Sequence, residues 1–225
     1  MSSIVVLRQT DRVSVLTDGA AYRNDGTIVG ENAKVYALPH LNAVITVRGS
    51  QAAFAMIAGW LTCNVFAYND LRHSLPEILS VLTPADGAGE TIEVVVAGFT
   101  NAGGADSFFI VNHDRHPEAP ILKALTIGGI SMMPGGDSVK VAVEPLFPVP
   151  MTNVDQLDPE EIGLAIMGAQ RQILDDVPGL LRAAKAHLVG RFAQMTSIYR
   201  DHIDTRILKR WPDPIGDKIN PNVLN

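Results

Sequence analysis

Ser2-Ser3-Ile4-Val5-Val6-Leu7-Arg8-Gln9-Thr10-Asp11-Arg12-Val13-Ser14-Val15-Leu16-Thr17-Asp18-Gly19 is the stretch whose reading decides the fold. Ser3 to Leu7 is a compact β-type run. Gln9-Thr10-Asp11 supplies a hairpin turn, and Arg12 to Thr17 resumes the strand pattern with Val13, Val15 and Leu16. Moving outward, Asn24-Asp25-Gly26 is a second turn signal. Lys34 to Leu38 and Ala43 to Val47 then form a further strand pair across Pro39-His40-Leu41-Asn42.

The period changes at Gly49-Ser50. Phe54, Ile57, Ala58, Leu61 and Val65 recur at helical spacing. Met56 and Trp60 make this helix apolar nearly all round, which predicts cover on both sides. Ser74-Leu75-Pro76-Glu77 reads as the start of a second helix, with Ser74 as cap and Pro76 in the first turn. Strands return at Thr91 to Phe99 and Ser107 to Asn112 around the glycine-rich turn Asn101 to Asp106, and again at Lys123 to Ile127. Asp158-Pro159-Glu160-Glu161 carries a cap, a proline at the first position and acids at the positive end of the dipole. Ile162, Ile166, Ala169 and Ile173 form the buried face of that helix, and Leu180 to His187 reads as another. Two strands close the chain, Phe192 to Tyr199 and Ile203 to Lys209.

The order is strands, two helices, strands, two helices, strands. Helices set between groups of antiparallel strands predict an α+β sandwich of two sheets with the helices outside. The 225 residues contain no linker long enough to divide them, and Glu144 to Pro150 reads as a crossing loop, so one domain over 1–225 is expected. A hydrophobic content of 47% with 19% charged residues suits a chain with a sizeable core. The net charge of −6 argues against a nucleic-acid partner, because a phosphate-binding surface needs a basic excess. Cys63 is the only cysteine, which excludes an intrachain disulfide, and it reads as a buried thiol. The opening residues lack a basic leader, and Phe54 to Tyr68 falls short of a bilayer span. A cytoplasmic protein with no membrane partner is expected.

Ser2, Asp18 and Lys34 are separated by two equal intervals of about 16 residues, one strand and return each. On these residues the chain resembles the proteasome β-type branch of the N-terminal-nucleophile (Ntn) hydrolases. Thr10-Asp11-Arg12-Val13 looks like that family's first hairpin, and Val15-Leu16-Thr17-Asp18 like its second strand. Val47-Arg48-Gly49-Ser50, running into an apolar helix, looks like the segment whose glycine N–H forms the oxyanion hole, one residue later than strict register. The resemblance implies a four-layer αββα sandwich of two antiparallel sheets. It also implies a catalytic set of Ser2, Asp18, Lys34 and Gly49, no cofactor and no metal, and assembly into a homo-oligomer.

With Met1 removed, the α-amine of Ser2 would serve as base, since its reference pKa of roughly 7.7–8.0 lets it accept the hydroxyl proton. Lys34 would depress that pKa, Asp18 would orient Lys34, and the Gly49 N–H would stabilise the oxyanion of an amide under attack. Two departures point elsewhere. The family's arginine two residues beyond the aspartate is here Ala20, and Lys185-Ala186-His187-Leu188-Val189-Gly190-Arg191 lacks its supporting acid and hydroxyl. Gly128-Gly129-Ile130-Ser131 looks like the family's serine-containing loop ahead of the last helices. Two functions therefore stay open: a peptidase or amidase acting on peptide substrates through Ser2, or a non-catalytic structural subunit of a larger particle, such as a virion or tail component.

His113-Asp114-Arg115-His116 reads as a polar hairpin tip rather than a metal site, because no further ligand lies nearby in sequence. Gly128-Gly129 and Gly135-Gly136 read as turns. Trp211 reads as a packed tryptophan, with an interface anchor as the alternative.

Overall fold

The computed structural model describes residues 3–23, 25–83, 91–135, 137–147, 153–176 and 185–223. In chain order the elements are β1 (Ile4–Arg8), β2 (Val13–Asp18), β3 (Ala20–Tyr22), β4 (Ile28–Glu31), β5 (Val35–Leu38), β6 (Ala43–Arg48), α1 (Gln51–Asn64), α2 (Leu71–Leu82), β7 (Glu93–Phe99) and β8 (Ala105–Val111). They continue as β9 (Leu125–Thr126), β10 (Ile130–Met133), α3 (Asp137–Val143), α4 (Pro159–Arg171), β11 (Asp175–Asp176), β12 (Lys185–Ala186), β13 (Phe192–Ile198) and β14 (Ile203–Arg210). The protein is a mixed α+β structure with antiparallel sheets. One five-stranded sheet has the order β10-β1-β2-β13-β14, and another has the order β5-β6-β7-β8-β9. No helix among the described residues is long and apolar enough to cross a membrane.

Strands β1 and β7 carry the unbroken apolar runs Ile4 to Leu7 and Val94 to Ala97, as suits strands buried on both faces. Along β1, Ile4 and Val6 point into a cluster shared with Val95, Ala97 and Phe109 of the other sheet, while Val5 and Leu7 point into a cluster with Val139, Ile162 and Ile166 of α3 and α4. Along β7 the same alternation sends Val95 and Ala97 to the shared cluster, and Val94 and Val96 toward Ile57, Leu61, Leu75 and Leu79 of α1 and α2. Strand β14 is mostly exposed, as expected for a sheet edge rich in charge.

Local chemistry explains most boundaries. The β1–β2 hairpin closes through the Gln9 N–H to Arg12 carbonyl bond at 2.9 Å. The side chain of Ser50 caps α1 by accepting from the Ala53 N–H at 3.1 Å, and that of Asp158 caps α4 from the Glu160 N–H at 2.9 Å. Helix α4 lies close to the first sheet because Gly163 has no side chain; a Cβ there would stand 2.3 Å from Leu16 Cδ2.

Several expectations need correction. Helix α1 is covered on one side only: Ala53, Ile57, Ala58 and Leu61 are buried, whereas Met56 is 56% exposed. Cys63 lies on the open side of that helix and is exposed, not buried. Helix α2 begins at Leu71 rather than at Ser74, which leaves Pro76 inside it. The buried stripe Leu71, Leu75, Ile78 and Leu79 carries the helix through the proline, tertiary burial outweighing the local start signal. A helix not expected, α3, precedes Glu144. Of the helix expected over Leu180 to His187, residues 180–184 lie outside the described residues, and Lys185–Ala186 are in a strand paired with Asp175–Asp176. The strand expected over Lys123 to Ile127 shortens to β9, and Gly136 lies outside the described residues. Trp211 packs: it belongs to the cluster of α4, and the Arg171 guanidinium stands 5.2 Å from its ring centroid.

Candidate active site

Asp18 ends β2 and is fully buried. Burying a carboxylate is costly unless its oxygens are satisfied, and here both are. Its Oδ1 accepts from the Lys34 ammonium at 2.8 Å and from the Ser3 backbone N–H at 2.9 Å. Its Oδ2 accepts from the Ala20 N–H at 3.1 Å and, more distantly, from the Gly190 N–H at 3.4 Å. Four chain segments thus meet at one side chain.

Two glycines make the convergence possible. The Gly19 N–H reaches the carbonyls of Phe192 at 2.9 Å and Gly190 at 3.2 Å, and a Cβ on Gly19 would stand 2.2 Å from the Phe192 ring. A Cβ on Gly190 would stand 2.6 Å from Asp213 Oδ2. That aspartate is occupied with Arg171, a buried pair at 2.5 Å that fixes the segment after β14 against the C-terminal end of α4.

Lys34 precedes β5 and is nearly buried, with a side-chain exposure of 13%. Burial pushes its ammonium below the ordinary lysine value, and the nearby Arg48 cation adds to this, while the Asp18 carboxylate works in the opposite direction. Arg48 ends β6 and pairs with Glu93. Gly49 follows it, exposed, between the end of β6 and the Ser50 cap of α1. Asp18 and Lys34, sixteen residues apart, are therefore brought together, and Gly49 stands at a strand-to-helix junction next to Arg48. Ser2 lies outside the described residues.

Ser3, its neighbour, is held twice. Besides the backbone bond to Asp18, its hydroxyl donates to Gln170 Oε1 at 2.5 Å, and Gln170 Nε2 donates to the Pro134 carbonyl at 2.9 Å. Sequence reasoning missed Gln170, although a signal existed: it follows Ile166 by four residues and so falls on the buried stripe of α4, where a glutamine needs partners. The Gly190 N–H was also missed, and no residue type there could have announced it. Ser131 sits in β10 opposite Val6, two pairs along the ladder from Ile4.

The arrangement can hold a lysine close to the start of β1, fix its direction with a carboxylate, and favour loss of its proton relative to a lysine in water. No protein-family model matches the chain, and no curated protein matches it as a relative.

Proposed function

We propose that the chain is a divergent proteasome-like Ntn hydrolase, an amide-bond hydrolase using Ser2 once Met1 is removed. The observation that carries this reading is the Asp18 carboxylate accepting at once from Lys34 Nζ and from the backbone N–H of Ser3, the residue covalently next to Ser2. The four-layer αββα reading is supported by three hydrophobic clusters: one joins α1 and α2 to the second sheet, one joins the two sheets, and one joins the first sheet to α3 and α4.

In this reading the Ser2 α-amine takes the hydroxyl proton as Oγ attacks the substrate carbonyl carbon. The nearby Lys34 keeps that amine unprotonated, because like charges disfavour its protonated form. The Gly49 N–H donates to the oxyanion, the amine leaving group departs with the proton, and water then hydrolyses the ester. Peptides are the substrate class and a homo-oligomer the working state.

The test is a peptide electrophile that captures a hydroxyl and an amine together, read by intact mass. The chain lacking Met1 should gain one adduct, and Ser2→Ala and Lys34→Ala should gain none. An adduct that persists in Ser2→Ala refutes the assignment.

A second reading, a non-catalytic assembly subunit of the same fold, is favoured by one observation. At position 20 and in the segment 185–191, where that family carries supporting side chains, this chain presents Asp18 with the backbone N–H groups of Ala20 and Gly190 instead. A chain that retains Met1 and takes no adduct would decide for it.

A further inference from the structure

We propose that Glu93, His113 and His116 form a binding site for a divalent transition-metal ion of the zinc type. The inference does not depend on the role of Ser2. It corrects the sequence reading of residues 113–116 as a hairpin tip: the chain leaving β8 folds back over the start of β7, because Glu93 pairs with Val111 in the ladder. The third ligand is distant in sequence and adjacent in space.

Ligand atoms of the three residues lie within 4.8 Å of one another. Glu93 Oε1 is 3.1 Å from His116 Nε2 and 3.4 Å from His113 Nε2. Donors bound at about 2.0–2.1 Å to a tetrahedral zinc stand roughly 3.3–3.5 Å apart, so these spacings need little movement. Two imidazoles and one carboxylate suit zinc, cobalt or nickel far better than calcium or magnesium, which prefer oxygen ligands throughout.

The surroundings also fit. His113 Nε2 is buried with no aligned hydrogen-bond partner among the described residues, although it points at Glu93. The other oxygen of Glu93, Oε2, is held by Arg48 at 2.5 Å, which leaves Oε1 to face the cation. His116 Nδ1 faces Glu118 Oε1 at 3.5 Å, the carboxylate-on-histidine arrangement that orients a metal-bound ring. The His116 side chain is 28% exposed, so the cation has an entry and an open coordination position on that side.

Two features oppose binding. The Arg48 cation lies close, and the Arg115 N–H donates to His113 Nδ1 at 3.2 Å, which places the neutral ring's proton on Nε2. Loading the ion moves that proton to Nδ1 and breaks the Arg115 contact, so an affinity well below that of a closed structural zinc site is expected.

The experiment uses the full, tag-free chain after chelation and dialysis, titrated with Zn2+ by calorimetry and with Co2+ by visible absorption. The expected result is one ion per chain, with the visible bands of a low-coordinate cobalt site. His116→Ala, whose side chain is partly exposed and should leave the fold intact, should lower the affinity tenfold or more, and so should His113→Gln. His202→Ala, at a separate exposed histidine stacked on Tyr199, should leave the affinity unchanged. No saturable uptake by the folded chain, or uptake unaltered in His116→Ala, overturns the proposal.

Discussion

Replacing Asp18 with alanine should be among the most damaging single changes in this protein. The substitution strands the nearly buried Lys34 ammonium and removes the acceptor shared by the Ser3 and Ala20 N–H groups. Breaking a buried ion pair from one side costs about 3–5 kcal/mol. The orphaned N–H groups each carry about 1–3 kcal/mol if no water reaches them, so the upper half of that range is expected rather than a plain sum. With a urea m-value of about 2–3 kcal/mol/M for a chain of this size, the midpoint should fall by about 1.3–2.5 M. Equilibrium urea unfolding followed by circular dichroism measures this. Lys34→Met in the Asp18→Ala background removes the stranded charge, so the double variant should recover part of the loss. A midpoint shift under 0.3 M in Asp18→Ala, about 1 kcal/mol or less by the same slope, would refute Asp18 as the hub of this site. Absence of recovery in the double variant would show that the backbone donors, and not the lysine, carry the cost.

Three further outcomes follow from named contacts. Lys34 has a folded-state pKa below its ordinary value of 10.5, so the folded chain releases this proton first, and its contribution to stability should rise as pH climbs from the depressed value toward 10.5; the wild-type minus Lys34→Met stability difference across alkaline pH measures it, and a flat or falling difference contradicts the assignment. Gly19→Ala should cost about 1–3 kcal/mol by overpacking against the Phe192 ring, and Phe192→Leu should relieve part of it; urea unfolding of both variants that shows no loss in Gly19→Ala would mean the strands separate freely there. Cys63 should react with a thiol reagent in the native state, one label per chain, whereas labelling that requires denaturant would place the thiol inside.

The hairpin at Gln9 to Arg12, the Asp158 cap, and the β7–β8 pair were legible because each rests on chemistry within a few residues. The missed features have the opposite character. Helix α2 runs through Pro76 because its apolar stripe is buried, a cost and gain that only the packed state compares. The cover on α1 was overestimated because apolar composition does not reveal which face meets a sheet, and Met56 and Cys63 were left outside.

By itself the sequence determined the α+β alternation and the equal strand-and-return intervals between Ser2, Asp18 and Lys34. These depend on periodicity and turn chemistry, which act along the chain at short range. Only the tertiary structure decided which polar groups meet. The carboxylate of Asp18 gathers residues 3, 20, 34 and 190, the Ser3 hydroxyl finds Gln170, and Glu93 finds His113 and His116. The physical reason is that a buried charge or amide is stabilised by whatever lies within about 3 Å of it. Sheet register and helix packing set that neighbourhood across separations of up to 172 residues, from Asp18 to Gly190, and no local pattern encodes it.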